Sequence, residues 1–183
     1  MIYFYDKYYN THKVVIGKSG RSYHIRIRRE EFTNVSDNDI INRLEEIDSR
    51  IKKLCDTLVV ENYPDRERAE RTKEKWDNII IKETYENESS IAFVVNKGDE
   101  ISICLTNKDT GNLEDINTTM FVVLHEVGHL MSVNWGHDEE FWTNFKLILR
   151  KAQEIDIYNY TNYNNTPEEY CGISIYSNPC MTQ

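Results

Sequence analysis

The sequence predicts an α+β fold on a small antiparallel sheet, and three patterns predict it. Short runs with the two-residue period of a half-buried strand lie at 14–28 and at 91–105. Other stretches repeat their apolar residues every three or four positions, the period of a helix with one buried face. The order runs strands, helices, hairpin, two more helices, which suits helices laid on an antiparallel sheet. A chain of 183 residues is long enough for one sizeable core and short for two, so 1–183 reads as a single domain.

The first strands are expected at 14–16 and 23–28, around a turn from Gly17 to Gly20; the second alternates as Tyr-His-Ile-Arg-Ile-Arg. Ser36 has the side chain of a helix cap, and the helix from 37 to about 60 carries Ile40, Ile41, Leu44, Ile47, Ile51, Leu54 and Leu58 on one stripe. Pro64 breaks the chain. A charged helix follows from 65 to about 81, its apolar face thin until Trp76, Ile79 and Ile80. Segments 91–95 and 101–105 form a hairpin through Asn96-Lys97-Gly98-Asp99. Beyond Ile157, a Tyr/Asn-rich loop at 158–165 leads to a short apolar segment at 173–176.

Charge is uneven. The net charge is −9, yet Lys7 to Arg29 holds seven basic residues and no acid. Lys18, Arg21, Arg26 and Arg28, interleaved with Tyr8, Tyr9, Tyr23 and His24, could track a phosphate backbone and stack on bases. The same run is equally what a solvated strand pair looks like, and that is the favoured reading, because a charge run alone specifies nothing. Gly17-Lys18-Ser19 is not a phosphate loop, since His12 stands where the first glycine belongs.

Hydrophobic content of 39% beside 29% charged residues describes a polar globular chain. The start lacks the basic and apolar regions of a signal peptide, and no run reaches the roughly eighteen apolar residues a membrane span needs. Cys55, Cys104, Cys171 and Cys180 form no CxxC pair, which argues against a zinc ribbon or redox motif, and their sparse use fits a reducing interior. An intracellular, membrane-free protein is expected. The sequons at Asn34 and Asn117 are what so Asn-rich a chain yields by accident.

The chemistry lies in His125-Glu126-Val127-Gly128-His129. On a helix, histidines four apart stand about one turn apart on one face and can hold one zinc ion, with nitrogens roughly 2.0–2.1 Å from it. Glu126, beside a ligand but not one itself, is the candidate general base of a metal-dependent hydrolase. The preceding Thr118-Thr119-Met120-Phe121-Val122-Val123-Leu124 is too apolar for an exposed helix. Polar groups buried there need a partner, and a metal supplies one. Gly128 is expected to leave room beside the metal.

Catalytic zinc usually takes a third protein ligand. His137 is favoured: it lies eight residues on, past Asn134 and Gly136, at the start of a helix over 138–152 with Phe141, Trp142, Phe145, Ile148, Leu149 and Ala152 on its stripe. Glu139, Glu140 and Glu154 stay open as carboxylate alternatives. The longer H-E-x-x-H-x-x-G-x-x-H pattern is not met, because Ser132 and Trp135 occupy its Gly and His positions.

The run HEVGHLMSVNWGHDEEFW resembles the WLM metallopeptidases, relatives of Wss-type and SprT/Spartan-type proteases, at His125, Glu126, His129, His137, Phe141 and Trp142. The resemblance covers about 90–155, the metal-binding core, with a basic strand-rich part at 1–35 and a tail at 158–183. The tail sequence PEEYCGISIYSNP is similar to forms of this family in large DNA viruses. The resemblance implies a zincin-like fold, one zinc, and hydrolysis of proteins, often proteins crosslinked to DNA.

For such a site Tyr170 and Tyr176 are candidate oxyanion donors, and Asp138 or a backbone carbonyl would orient the histidine Nδ1 protons. An extended peptide substrate is expected along 101–105 as an edge strand. A zinc-stabilised module that binds nucleic acid or protein without turnover, and a hydrolase acting on something other than peptides, are the competing classes.

Overall fold

The computed structural model describes residues 11–28, 34–84, 92–95, 98–134 and 136–180, the backbone alone at 92–95. Its elements run β1 (His12–Ile16), β2 (Ser22–Arg26), α1 (Asp37–Glu61), α2 (Arg66–Asn78), β3 (Ile80–Glu83), β4 (Ala92–Val95), β5 (Glu100–Ile103), α3 (Ile116–Met131), α4 (Glu139–Glu154), β6 (Glu168–Tyr170) and β7 (Ile173–Ile175). Five strands form one sheet in the order β1-β2-β3-β5-β4, and β6 pairs with β7.

The α+β class holds, and the sheet is mixed. Its outer pairs, β1–β2 and β4–β5, are antiparallel as expected, whereas β2–β3 and β3–β5 are parallel. Parallel neighbours need a long crossover, and α1 with α2 provides one between β2 and β3. On the core face, Tyr23, Ile25, Ile81, Ile101 and Ile103 are fully buried. The stripe of α1 lies there too, with Ile40, Leu44, Ile47, Ile51, Leu54 and Leu58 buried.

The first helix starts where Ser36 predicts. The Ser36 side chain accepts from the Asp39 N–H while Asp39 accepts from the Ser36 N–H, a reciprocal cap. It ends at Asn62, whose left-handed backbone (φ 51°) turns the chain toward Pro64.

Three expectations are corrected. The second helix stops at Asn78 rather than 81, because Ile81 is taken into the sheet, paired with Tyr23 on one side and Ile101 on the other. Helical spacing at Trp76, Ile79 and Ile80 gives way to strand pairing by β-branched residues. Segment 101–105 is not an edge: β5 lies between β3 and β4, and β4 is the edge. Finally, the cysteines, sparse enough to suit a reducing interior, are not all thiols: Cys104 and Cys171, 67 residues apart in sequence, form a disulfide. It joins the end of β5 to the β6–β7 turn, while Cys55 and Cys180 stay free.

The loop at 158–165 contributes to the core, since Tyr158 and Tyr163 are buried against Phe121. Among the described residues no helix is long and apolar enough to cross a membrane. The expected positions Lys7, Tyr8, Tyr9, Arg29, Ile91, Asn96, Lys97 and Trp135 lie outside the described residues.

Candidate metal centre

Helix α3 is nearly all buried, from Thr118 to Met131, as its apolar run requires. Asp115 caps its start by accepting from the Thr118 N–H at 2.8 Å. His125 and His129 sit one turn apart on it, their rings 5.1 Å between centroids. His137 reaches them from the loop between α3 and α4. Its Nε2 lies 3.0 Å from His125 Nε2 and 3.2 Å from His129 Nε2. Three nitrogens held tetrahedrally about 2.0–2.1 Å from one zinc would stand roughly 3.3 Å apart. The two His137 separations lie near that value, all three ligand atoms lie within 4.8 Å of one another, and the donor set is one that zinc accepts.

Below the imidazoles lies Phe141, with ring centroids 4.8 Å from His125, 4.2 Å from His129 and 4.7 Å from His137. This apolar wall desolvates the rings. Burial, then the neighbouring histidines, holds His125 down to about 3; burial, then His137, holds His129 down to about 4. Both are thus neutral near pH 7, the form that binds a metal.

A stability prediction follows for the metal-free protein. The folded values lie below the ordinary 6.5, so below that pH the unfolded chain takes up protons the folded rings refuse. Stability is then lost as pH falls from about 6.5 toward the folded values. In chelator, the urea midpoint should drop between pH 6.5 and 5, before most carboxylates titrate. A His125→Gln, His129→Gln double variant should flatten that slope; an equal slope in both proteins counts against the burial argument.

The glycine in the motif has a different role from the one expected. A Cβ on Gly128 would stand 3.1 Å from Phe141 Cε2 and 3.4 Å from Phe145 Cβ. Its missing side chain admits the aromatic rings of α4, not the metal. Glu126 is buried on the same helix.

The C-terminal end of α3 is held by groups that spacing alone could not reveal. Its last carbonyls, left without helical donors, accept from α2: Arg71 Nη2 to Met131 O at 2.8 Å and Lys75 Nζ to Leu130 O at 3.0 Å. A buried relay runs from Arg68 Nη1 to Asn144 Oδ1 at 2.8 Å, then Asn144 Nδ2 to Ser132 Oγ at 3.0 Å, then Ser132 Oγ to Gly128 O at 2.8 Å. It ties α2, α4 and α3 together behind the histidines. Gly136 takes φ +88° in the loop, where a left-handed backbone favours glycine.

The other candidates are placed as follows. Asp138 caps α4, one carboxylate oxygen accepting from the Phe141 N–H at 3.0 Å. Glu140 accepts from the Val133 and Asn134 N–H groups, which hold its carboxyl below the usual range. Glu154 pairs with Lys151 at 2.8 Å, at the far end of α4. Glu139 is exposed in its first turn. Of these alternatives, His137 is the group that joins the pair. Tyr170 is fully buried and donates to the Cys104 carbonyl, which engages the proton an oxyanion would need. Tyr176 is exposed just beyond β7.

The basic candidates are mostly internal. Arg21 Nη1 meets Asp48 at 2.5 Å and its Nη2 donates to the Trp76 and Ile79 carbonyls. Arg26 Nε meets Glu83 at 3.1 Å, and Arg28 pairs with Glu83 and with Asp37. Asp48 and Glu83 are buried carboxylates that need cations. Lys18, in the turn after β1, reaches Asn42 at 3.4 Å. These three arginines are paired within the fold.

The WLM domain family matches over residues 68–179. An uncharacterized protein of Acanthamoeba polyphaga mimivirus is 37% identical over 133 residues, 70% of this chain and 67% of that protein. An uncharacterized protein of Invertebrate iridescent virus 6 is 33% identical over 84 residues, 45% of this chain and 47% of that protein. The crystal structure of Wss1 from Saccharomyces cerevisiae aligns with a TM-score of 0.50 at 19% identity, covering 70% of this chain and 86% of that one. That last likeness is one of fold.

Proposed function

The chain belongs to the WLM domain family, with relatives in large DNA viruses, and from that premise we propose that it is a zinc-dependent peptidase acting on proteins. The observation that carries this reading is the convergence of His125, His129 and His137 Nε2 atoms, from a helix and the loop that follows it.

His125, His129 and His137 would hold the ion. Zinc in a three-imidazole site supplies Lewis-acid polarisation of a carbonyl and a nucleophilic water near neutral pH. The chain's own part starts with Glu126, which takes the proton of the attacking water and returns it to the leaving amine. Phe141 keeps bulk water from the buried side of the imidazoles and fixes the ring planes. His137 is exposed, so substrate approaches past it. Substrates crosslinked to DNA are the finer form of this proposal; it rests on the family, because Arg21, Arg26 and Arg28 are engaged within the fold.

The test is metal analysis joined to digestion. Purified protein is expected to hold about one zinc per chain, and His125→Ala, His129→Ala or His137→Ala should each release it. Wild type should cleave an unfolded protein, and a protein crosslinked to DNA, with chelator abolishing both. Full zinc in His137→Ala moves the third ligand elsewhere. A zinc-loaded wild type that cleaves neither substrate leaves a zinc-stabilised binding module.

A further inference from the structure

We infer that Glu140 is the residue that positions the third metal ligand: its carboxylate locks the α3–α4 loop so that His137 meets the two helical histidines. The inference rests on the metal-site reading above.

His125 and His129 are placed by a buried helix, and their spacing needs nothing else. His137 is different. It is exposed and lies on a loop, between Ser132 at the end of α3 and Asp138 at the start of α4. A loop of that length would otherwise sample many conformations, and each residue ordered costs roughly 1–2 kcal/mol of backbone entropy. Two side-chain devices hold its ends. Asp138 fixes the exit by capping α4. Glu140 fixes the entry from the opposite side of the loop: one oxygen accepts from the Val133 N–H at 2.9 Å, the other from the Asn134 N–H at 3.0 Å.

This bidentate grip spans the loop. Glu140 belongs to the first turn of α4, one residue before Phe141, while Val133 and Asn134 directly follow the α3 cap. The grip ties the backbone just before Gly136 and His137 to the helical turn just after them. Phe141, next to Glu140, packs on all three imidazoles, so the same turn of α4 sets both the loop and the wall behind the site. Charge-assisted bonds to two backbone amides are among the stronger hydrogen bonds a loop can make. Gln at this position offers one acceptor oxygen in place of two.

The test is zinc affinity in a double-variant cycle, with wild type, Glu140→Ala, His137→Ala and the pair. Removing a group that orients a metal ligand typically weakens binding about 10–100-fold, which is the loss expected for Glu140→Ala. Glu140→Gln should fall between it and wild type. In the His137→Ala background, which no longer retains zinc on purification, the residual affinity is read by titration at high zinc, and Glu140→Ala should cost nothing further there, because the ligand it places is gone. Cobalt-loaded Glu140→Ala should show a weaker visible band at equal cobalt, as four-coordinate sites are lost. Additive losses in the double variant would overturn the inference, making Glu140 a ligand itself or a general stabiliser. So would unchanged affinity in Glu140→Ala. If wild type binds no zinc, the metal-site reading fails first and this inference with it; a zinc-binding wild type with an indifferent Glu140→Ala sinks the inference alone.

Discussion

Glu126→Gln protein is expected to keep its zinc and its melting temperature while peptide cleavage falls by about 10²–10⁴-fold, the usual worth of a positioned general base. The reason is division of labour along one helix. His125 and His129 belong to the nitrogen triad, and Glu126, beside one of them, does not. Gln has the size of Glu and hydrogen-bonds in its place, so the buried surroundings of residue 126 need not rearrange. It cannot take a proton from water near neutral pH. Measurement needs zinc content, thermal unfolding and cleavage on one preparation. Wild-type cleavage by this variant would put the proton acceptor elsewhere. Loss of zinc together with activity would instead make residue 126 part of the metal site.

Much of this site could be read from local sequence, because local rules governed it. Helical spacing brings His125 and His129 to one face, and Gly136 permits the reversal that returns His137. Ser36 was legible as a cap for the same reason, since its partner Asp39 lies three residues away. What escaped depends on contacts distant in sequence. Arg21 finds Asp48 at a separation of 27 residues and Arg26 finds Glu83 at 57, so a run read as a solvated strand pair is in part paired inside the fold. The parallel register of β3 with β2 and β5 is equally non-local, and nothing in Ile80–Glu83 announces which neighbours it will take. Cys104 and Cys171 could not be matched by spacing, because only the packing of β6 near the end of β5 brings their Cα atoms to 6.4 Å. Gly128 was misread for a related reason: α4 uses the space that the motif alone seemed to leave for the metal.

Asp48→Ala is expected to destabilise the fold by about 3–5 kcal/mol, the usual result of stripping one partner from a buried ion pair. Asp48 is 2% exposed and accepts four donors: Arg21 Nη1 at 2.5 Å, Lys52 Nζ at 2.8 Å, Trp76 Nε1 at 3.0 Å and Tyr23 OH at 3.1 Å. These come from β2 and the residue before it, α1 and α2, so one carboxylate joins the crossover helices to the sheet. Without it the indole N–H and the phenol lose their acceptor, and the Arg21 guanidinium, largely covered and lying 5.7 Å over Trp76, loses its counter-charge. For a chain of this size each kcal/mol moves the melting point by roughly 2–4 °C, so a drop on the order of 10 °C is expected. Arg21→Ala should also destabilise, and the double variant should lose less than the sum of the two, because they share one interaction. Nucleic-acid binding as the purpose of Arg21 makes the opposite forecast, with Arg21→Ala folding as well as wild type and only a ligand affinity reduced. Thermal unfolding of the three variants decides between these roles: unchanged melting in Arg21→Ala would return that arginine to the surface, and additive losses would deny that it and Asp48 act as a pair.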